Sequence, residues 1–138
     1  YSDSGNIFVK SILKLGNQRD KLNVVRVQIG SPTYAADLAE VILKIINNKY
    51  YQDKDQSTEI YHYSNEGEIS WYDFAKEIFK IAEINCKVNP ITTQQYPTPA
   101  RRPKNSLMNK DKIAKAFGVN IPDWEESFNT CMAALKGQ

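Results

Sequence analysis

The residue types best suited to ligand chemistry in this sequence are two arginines that lie between prolines. Arg101 and Arg102 are followed by Lys104 in a stretch that also contains Pro97, Pro99 and Pro103. Guanidinium groups bind phosphate oxygens in a bidentate manner, and proline stiffening favours a preorganised site. A diphosphate clamp and a solvated charged loop explain these residues about equally well from composition alone.

A second notable segment is the turn that reads Gln-Ile-Gly-Ser-Pro-Thr, residues 28–33. It separates an apolar run from a predicted helix and brings small polar groups together. No nucleophile, metal ligand or phosphate loop lies beside it in the sequence. The pattern alone leaves open what such a junction holds.

The remaining polar and aromatic candidates favour structural roles. His62, the only histidine, lies between Tyr61 and Tyr63 on a predicted strand, whose alternation turns it to the opposite face. It has no acid or nucleophile near it in sequence, which favours a packing or half-exposed role. Trp71, Tyr72 and Tyr96 could stack on a base or sugar, although aromatic residues near a helix start are more often core residues. Asp37 and Glu40 are interpreted as part of a solvated helix face, although both lie near the turn.

No catalytic constellation can be assembled from the residue types present. The sequence offers no Ser/His/Asp set, no paired carboxylates with suitable spacing and no metal-ligand cluster. No Gly-rich loop opens a helix after a strand, so the dinucleotide fingerprint is absent. We therefore predict no catalytic residue, no metal ligand and no bound cofactor within these 138 residues.

Hydrophobic periodicity predicts the elements that position the turn and the arginines. Helices are predicted at residues 6–16, 34–48, 74–84, 110–117 and 123–135, and strands at 22–27, 58–64 and 88–91. Ser70 with Asp73 and Asp123 with Glu126 predict capped helix starts. The second helix is predicted to bury one stripe against a sheet, formed by Leu38, Val41, Ile42, Ile45 and Ile46. This alternation predicts an α/β fold with some parallel pairing in a thin sheet.

Composition restricts the class of protein. The length suits one domain, and no stretch approaches the roughly 18 apolar residues of a membrane span. With 18 basic and 16 acidic residues, charge gives no reason to expect a nucleic-acid or membrane partner. Cys86 and Cys131 match no metal-binding or CxxC spacing and suggest buried thiols in a cytoplasmic protein. The start at Tyr1, with no initiator Met and no signal-peptide pattern, suggests a piece of a longer chain.

The motifs together resemble a known family. The segments NIFVKSILKLG, LNVVRVQIGSPTYAADLAEVI, IYHYSNEGEISWYDFAKEIF, VNPITTQQYPTPARRPKNSLMNKDKI and FGVNIPDWEESF follow one another at the spacing of the dTDP-4-dehydrorhamnose reductases. That family belongs to the extended short-chain dehydrogenase/reductases. The resemblance covers essentially the whole chain and corresponds to the C-terminal portion of the family.

The resemblance implies the C-terminal part of a Rossmann-like α/β fold, a small mixed or parallel sheet with flanking helices. In the family, an N-terminal Rossmann domain binds NADPH, or NADH in some members, and supplies a catalytic Tyr-x-x-x-Lys pair. The smaller C-terminal part binds the dTDP-sugar, whose 4-keto group is reduced to give dTDP-L-rhamnose. Residues 1–138 are thus expected to form one substrate-binding domain, without the Rossmann domain and inactive alone.

The resemblance also assigns substrate-binding residues. Gln28, Ile29, Gly30, Ser31, Pro32 and Thr33 border the cleft between cofactor and sugar, and Asn6 lies near the substrate diphosphate. Arg101 and Arg102 match the position of an arginine that binds the diphosphate in related enzymes. Arg26 and Val27 stand where the family often has an acidic residue, so a carboxylate role there is not transferred.

The expected partners are the dTDP-sugar and the N-terminal Rossmann domain, and the resemblance also allows a homodimer. No nucleic acid or membrane partner is expected. The alternative hypothesis is a non-catalytic regulatory or binding subunit of the same fold, in which the nucleotide-sugar cleft is vestigial.

Overall fold

The computed structural model describes residues 1–4, 8–48 and 58–137. The described helices are α1 (Phe8–Gln18), α2 (Ala35–Ile46), α3 (Trp71–Ile81), α4 (Asp111–Phe117) and α5 (Trp124–Lys136). The described strands are β1 (Lys21–Val25), β2 (Ile29–Gly30), β3 (Ile69–Ser70) and β4 (Lys87–Ile91). The predicted α/β class is confirmed. Among these helices, none has the length and apolar character that crossing a bilayer requires.

The main sheet joins β1 and β4 in parallel, as the alternation of elements predicted. Lys21 pairs with Lys87, and the register continues to Val25 opposite Ile91. Parallel strands need a long crossover, and α3 lies on that crossover and packs on both strands. Pro90 lies opposite Val24 in this register.

A large apolar cluster forms where α1, β1, α3 and α5 meet, and we call it the large cluster. Phe74 lies at its centre, only 1% exposed. The rings of Tyr1, Phe8, Trp124 and Phe128 lie between 5.0 and 5.8 Å from the Phe74 ring, measured between centroids. Such aromatic packing buries much apolar area and holds α3 and α5 together.

A second, smaller apolar cluster connects α2 to α4. It consists of the buried side chains of Val41, Ile113, Phe117 and Val119. We call it the small cluster. Gly118, at a φ of 58°, ends α4 in the left-handed conformation that glycine favours.

The helix caps follow the predicted chemistry. The Ser70 hydroxyl accepts a hydrogen bond from the Asp73 backbone N–H at 3.0 Å, which caps α3. Asp123 caps α5 in the same way but accepts from the Glu125 N–H at 2.8 Å. Both caps depend on neighbouring residues, which is why sequence could predict them.

One predicted strand and two predicted helix boundaries are wrong, since the third helix spans Trp71–Ile81 and not 74–84. Residues 58–64 were predicted to form a strand, but they pair with no strand in the part of the chain that the structure describes. Gly16 does not end α1, which continues to Gln18. A Cβ on Gly16 would lie 2.3 Å from a ring carbon of Phe79, so this glycine allows α1 and α3 to approach closely.

The predicted burial of the α2 stripe is also wrong. Val41 is the buried residue of α2, and Ile45 is half-buried. Leu38, Ile42 and Ile46 are 37%, 46% and 50% exposed. Because α1 and α3 cover the main sheet, α2 packs through its Val41 side onto α4 instead.

Candidate functional site

The backbone of Ile29 joins the Gln28–Thr33 turn to the segment that follows the arginines. Its N–H donates to the Lys104 carbonyl at 2.9 Å, and its carbonyl accepts from the Ser106 N–H at 3.0 Å. On the other side, Ile29–Gly30 pairs with Ile69–Ser70 in the antiparallel β2–β3 ladder. Three distant segments therefore meet at one place, which we call the junction: residues 29–30, 69–70 and 104–106.

Side chains fix the turn to its surroundings. The Ser31 hydroxyl donates to the Gly67 carbonyl at 2.6 Å, and the Gln28 amide donates to the Thr93 hydroxyl at 3.2 Å. A Cβ on Gly30 would lie 2.6 Å from the Ser106 hydroxyl oxygen, so a larger residue here would displace that hydroxyl. The turn is thus a preorganised surface with backbone groups at its centre.

Trp71 and the junction enclose a narrow cleft of about 60 Å³. The residues that line it are Gly30, Ser31, Pro32, Ile69, Ser70, Trp71, Phe74 and Ser106. Trp71 is 41% exposed, and its ring lies 4.6 Å from that of Phe8 between centroids. A cleft of this size holds one or two waters, so a larger ligand would lie across its mouth. Part of the Trp71 ring is therefore open to solvent, although the sequence favoured a core role for it.

Arg101 and Arg102 are exposed and lie close to the junction along the chain. Because consecutive Cα atoms are about 3.8 Å apart, the Arg102 Cα lies within about 8 Å of the Lys104 Cα. The Lys104 carbonyl is bonded to Ile29. The two arginines therefore stand two and three residues before a residue whose main chain is hydrogen-bonded to the turn. Asn6, the remaining predicted contact, lies outside the described residues.

The other predicted aromatic candidates differ in their surroundings. Tyr72 faces two cations, with the Arg26 guanidinium carbon at 5.9 Å and the Lys76 ammonium at 5.2 Å from its ring centre. Tyr96 is 58% exposed. His62 is exposed between two half-buried tyrosines, as strict alternation predicted even without a strand.

A wider groove of about 650 Å³ begins at Ser31 and continues beside α4. It includes three carboxylates, those of Glu66, Glu68 and Asp111. The Lys110 ammonium lies there too, but it donates to the Glu66 carboxylate at 2.8 Å. This groove is unsuited to a diphosphate because the like charges would repel one another.

A buried polar network supports the turn from below, and sequence reasoning missed it. The Asn65 side chain, 0% exposed, accepts from the Tyr34 N–H at 2.9 Å. Its amide nitrogen donates to the Asp37 carboxylate at 2.6 Å and to the Ser127 hydroxyl at 2.8 Å. Ser127 also donates to the Asp37 carboxylate. Asp37 was interpreted from the sequence as solvated, but it is half-buried, and its carboxylate accepts hydrogen bonds from Asn65 and Ser127.

Two phenols in this part of the fold have raised pKa values. Burial, and then the Asp3 carboxylate, raises the pKa of the Tyr34 phenol. Burial raises the pKa of Tyr63 to about 12, with Asp37 and Glu40 adding to the effect. Both phenols therefore stay protonated at neutral pH. Among the described residues, no group of three or more His, Cys, Asp or Glu side chains could hold a metal ion.

The profile of the RmlD substrate binding domain family matches residues 1–136. The chain belongs to this family. Two relatives are dTDP-4-dehydrorhamnose reductases, from Sinorhizobium fredii at 40% identity over 98% of the chain and from Aggregatibacter actinomycetemcomitans at 42% over 96%. This RmlD substrate binding domain spans about half the length of those relatives, 47% of each.

Solved structures agree with the fold of this RmlD substrate binding domain. The dTDP-4-dehydrorhamnose reductase from Bacillus anthracis, crystallised in complex with NADP, matches with a TM-score of 0.86 and 38% identity. The match covers 96% of this chain and 45% of that one. The predicted resemblance to the dTDP-4-dehydrorhamnose reductases is confirmed.

Proposed function

We propose that this chain is the substrate-binding half of a dTDP-4-dehydrorhamnose reductase and binds the dTDP-sugar across the junction. The main support for the proposal is the pair of backbone hydrogen bonds that join Ile29 to Lys104 and to Ser106. These bonds support a single site that combines the turn and the arginine loop. Residues 1–138 then form one domain, and the rest of the polypeptide supplies the other wall of the cleft.

Each part of the site has a role that suits its chemistry. Arg101 and Arg102 neutralise the diphosphate through bidentate hydrogen bonds, and Asn6 adds an amide donor. The residues of the turn, Gln28 to Thr33, present backbone groups and short side chains to the sugar. Ile29 and Trp71, 38% and 41% exposed, offer apolar surface to the base or the sugar ring.

The cofactor and the proton donor are assigned to the rest of the polypeptide. A reduced nicotinamide supplies a hydride when it is bound, and NADPH is our proposal because the Bacillus anthracis relative was crystallised with NADP. We propose that this cofactor binds outside residues 1–138, because no Gly-rich loop opens a helix after a strand in this sequence. β3 passes directly into α3, and the Ser70 hydroxyl at that point is already engaged by Asp73. We therefore also assign the catalytic Tyr-x-x-x-Lys pair to the other half.

The two cysteines bear on the cellular setting. Cys86 and Cys131 are both free and buried. Free thiols suit a reducing compartment, so we propose that the protein works in the cytoplasm.

The first test is a calorimetric titration of the chain with dTDP and with dTDP-L-rhamnose. We expect saturable binding of both nucleotides, weakened about tenfold by Arg102→Ala because a charge-assisted contact is lost. The matched control is Arg19→Ala, an exposed arginine before β1 and thus at the end of that strand away from the turn. Lack of binding at millimolar nucleotide, or equal weakening by both substitutions, would contradict the proposal.

The second test separates the reductase from a non-catalytic subunit. The complete polypeptide, given NADPH and the 4-keto sugar nucleotide, should consume NADPH, and Arg102→Ala should raise KM more than it lowers kcat. Binding of dTDP-L-rhamnose without any NADPH consumption would favour the non-catalytic subunit.

A further inference from the structure

The loop of residues 94–103, which carries the two arginines, begins and ends beside consecutive residues of the turn. At its start, the Gln28 side-chain amide donates to the Thr93 hydroxyl at 3.2 Å. At its end, the Ile29 N–H donates to the Lys104 carbonyl at 2.9 Å. The 94–103 loop is therefore closed at its base, like the compact surface loops that often carry function.

Between these two ends, the 94–103 loop is exposed at every residue. The Thr98 hydroxyl donates to the Ala100 carbonyl at 2.8 Å, a hydrogen bond inside the loop itself. Three prolines restrict the backbone of the loop. The position of the arginines therefore depends mainly on where the two ends are held.

The two arginines are available to an external anion. Among the residues that the structure describes, the ion pairs have a lysine as the cation, namely Lys76, Lys80, Lys110 or Lys112. Arg101 and Arg102 are exposed and take part in none of these pairs. Their orientation towards a ligand is thus left to the loop that carries them.

The hydrogen bond at the start of the loop lies at the carboxyl ends of the parallel strands. The Arg26 N–H donates to the Ile91 carbonyl at 3.0 Å, so β1 and β4 stay side by side as they end. Gln28 and Thr93 follow at once and are both half-buried. Ligands of open α/β sheets bind outside this end of the strands. The bond therefore lies where it can orient a ligand-binding loop.

We propose that Thr93 is a positioning residue for Arg101 and Arg102. Its hydroxyl, bonded to Gln28, fixes the start of the 94–103 loop so that both guanidinium groups meet the diphosphate. This inference rests on the proposed function, because it names what orients the arginines that bind the nucleotide there. Without the bond, the residues after Ile91 gain freedom, and binding has to order more of the loop.

The test is a calorimetric titration of the chain with dTDP. Thr93→Val removes the hydroxyl and keeps the shape of the side chain, and we expect it to raise Kd about fivefold. Thr92→Val is the matched control, because Thr92 is the exposed neighbour, and its Kd should stay within about 1.5-fold of the wild type. Thr93→Ser keeps the hydroxyl and should restore Kd to within about twofold. Urea unfolding midpoints of the three variants check that each one is folded.

A second comparison tests whether Thr93 acts through the arginines. In an Arg102→Ala background, Thr93→Val should change Kd by less than about twofold, because the group that the loop positions is gone. A fivefold loss that persists in this background would mean that Thr93 acts independently of Arg102, and it would overturn the proposal.

Two further results would also overturn it. Equal Kd values for Thr93→Val and Thr92→Val would show that the bond to Gln28 does not matter for binding. A Thr93→Ser variant as weak as Thr93→Val would show that the hydroxyl is not the group involved. A wild type that binds no dTDP would instead overturn the proposed function itself, so the two failures are distinguishable.

Discussion

Asn65 is the residue on which the polar contacts beneath the turn converge. Its amide group binds the Tyr34 N–H, the Asp37 carboxylate and the Ser127 hydroxyl within 2.9 Å. We expect Asn65→Ala to lower the free energy of unfolding by about 3 kcal/mol, because it leaves a buried N–H and a half-buried carboxylate without their partner. Urea unfolding followed by circular dichroism measures the loss.

The control for this substitution is Asn85→Ala, since Asn85 is exposed before β4. It should change the free energy of unfolding by less than about 0.5 kcal/mol. A loss of similar size in both variants would mean that the network contributes no particular stability.

Cys131 is expected to make the stability of the fold depend on pH in the alkaline range. Burial raises the pKa of its thiol from 9.0 to about 11, with a smaller contribution from Asp3. Because the folded pKa is the higher one, the stabilisation is complete below pH 9 and is lost as the pH rises towards 11. We expect Cys131→Ala to cost stability at pH 8 and to show a smaller further loss between pH 9 and 11 than the wild type. Parallel losses in urea midpoints over this range would refute the assignment to Cys131.

Sequence predicted some single-residue roles and missed others for a physical reason. The Ser70 and Asp123 caps bond to residues two or three positions away, so a short pattern reveals them. Asn65 bonds to Asp37 and Ser127, which are 28 and 62 positions away. Only the folded chain brings these three side chains together.

Gly16 determines how closely α1 packs on α3. Alanine is normally the better helix former by about 1 kcal/mol, yet its methyl group would collide with the Phe79 ring. We expect Gly16→Ala to lower the free energy of unfolding by about 2 kcal/mol, because overpacking outweighs propensity. Thermal or urea unfolding gives the value.

Two further variants check this cause. Lys14→Ala, on the exposed side of α1, should be nearly neutral. Phe79→Leu combined with Gly16→Ala should cost less than the sum of the two single changes, because the smaller side chain leaves room for the methyl group. Strict additivity would mean that Gly16 acts through the backbone and not through Phe79.

Elements were predicted well where their own residues determine them. Most of α1 and α2 follows from periodicity, and β1 follows from a short apolar run. Periodicity shows that α2 is apolar but not what covers it, so the stripe was wrongly assigned to a sheet. β2 and β3 have two residues each, too few to show any period. They exist because distant segments pair.

The molecule divides its apolar interior between the large and the small cluster, and the two should differ in stability. Among the residues that the structure describes, the large cluster holds 12 buried residues and the small one holds 4. We expect the amides of α3 to exchange hydrogen only through global unfolding. Those of α4 should exchange through a local opening that has a lower free energy. Native-state hydrogen exchange in rising urea distinguishes the two classes.

Phe117→Ala is the variant that separates these units. It should lower the hydrogen-exchange protection of the amides in α2 and α4, which meet in the small cluster. The protection of the α3 amides should fall only by as much as the free energy of global unfolding falls. Equal protection factors in α3 and α4 of the wild type would show that the domain opens as one unit.

The candidate site was partly predictable at this scale. The turn and the arginine loop were each visible as segments, and the family resemblance proposed that they meet. Their contact through Ile29 and Lys104 spans 75 positions and belongs to the folded molecule. The cleft beside Trp71 and the network under Tyr34 could not be predicted, because no local pattern determines them.

Pro90 affects how the main sheet meets other molecules. The main-chain groups of Lys87 and Ile91 form hydrogen bonds on the β1 side of β4. Val88 and Pro90 therefore direct their main-chain groups to the opposite side of β4. Proline has no N–H, so along this side Val88 keeps the one amide hydrogen of the pair. A foreign strand that tried to extend the sheet here would find a gap in its ladder. Pro90 therefore disfavours the addition of a further strand on this side of β4 and leaves the pairing with β1 intact.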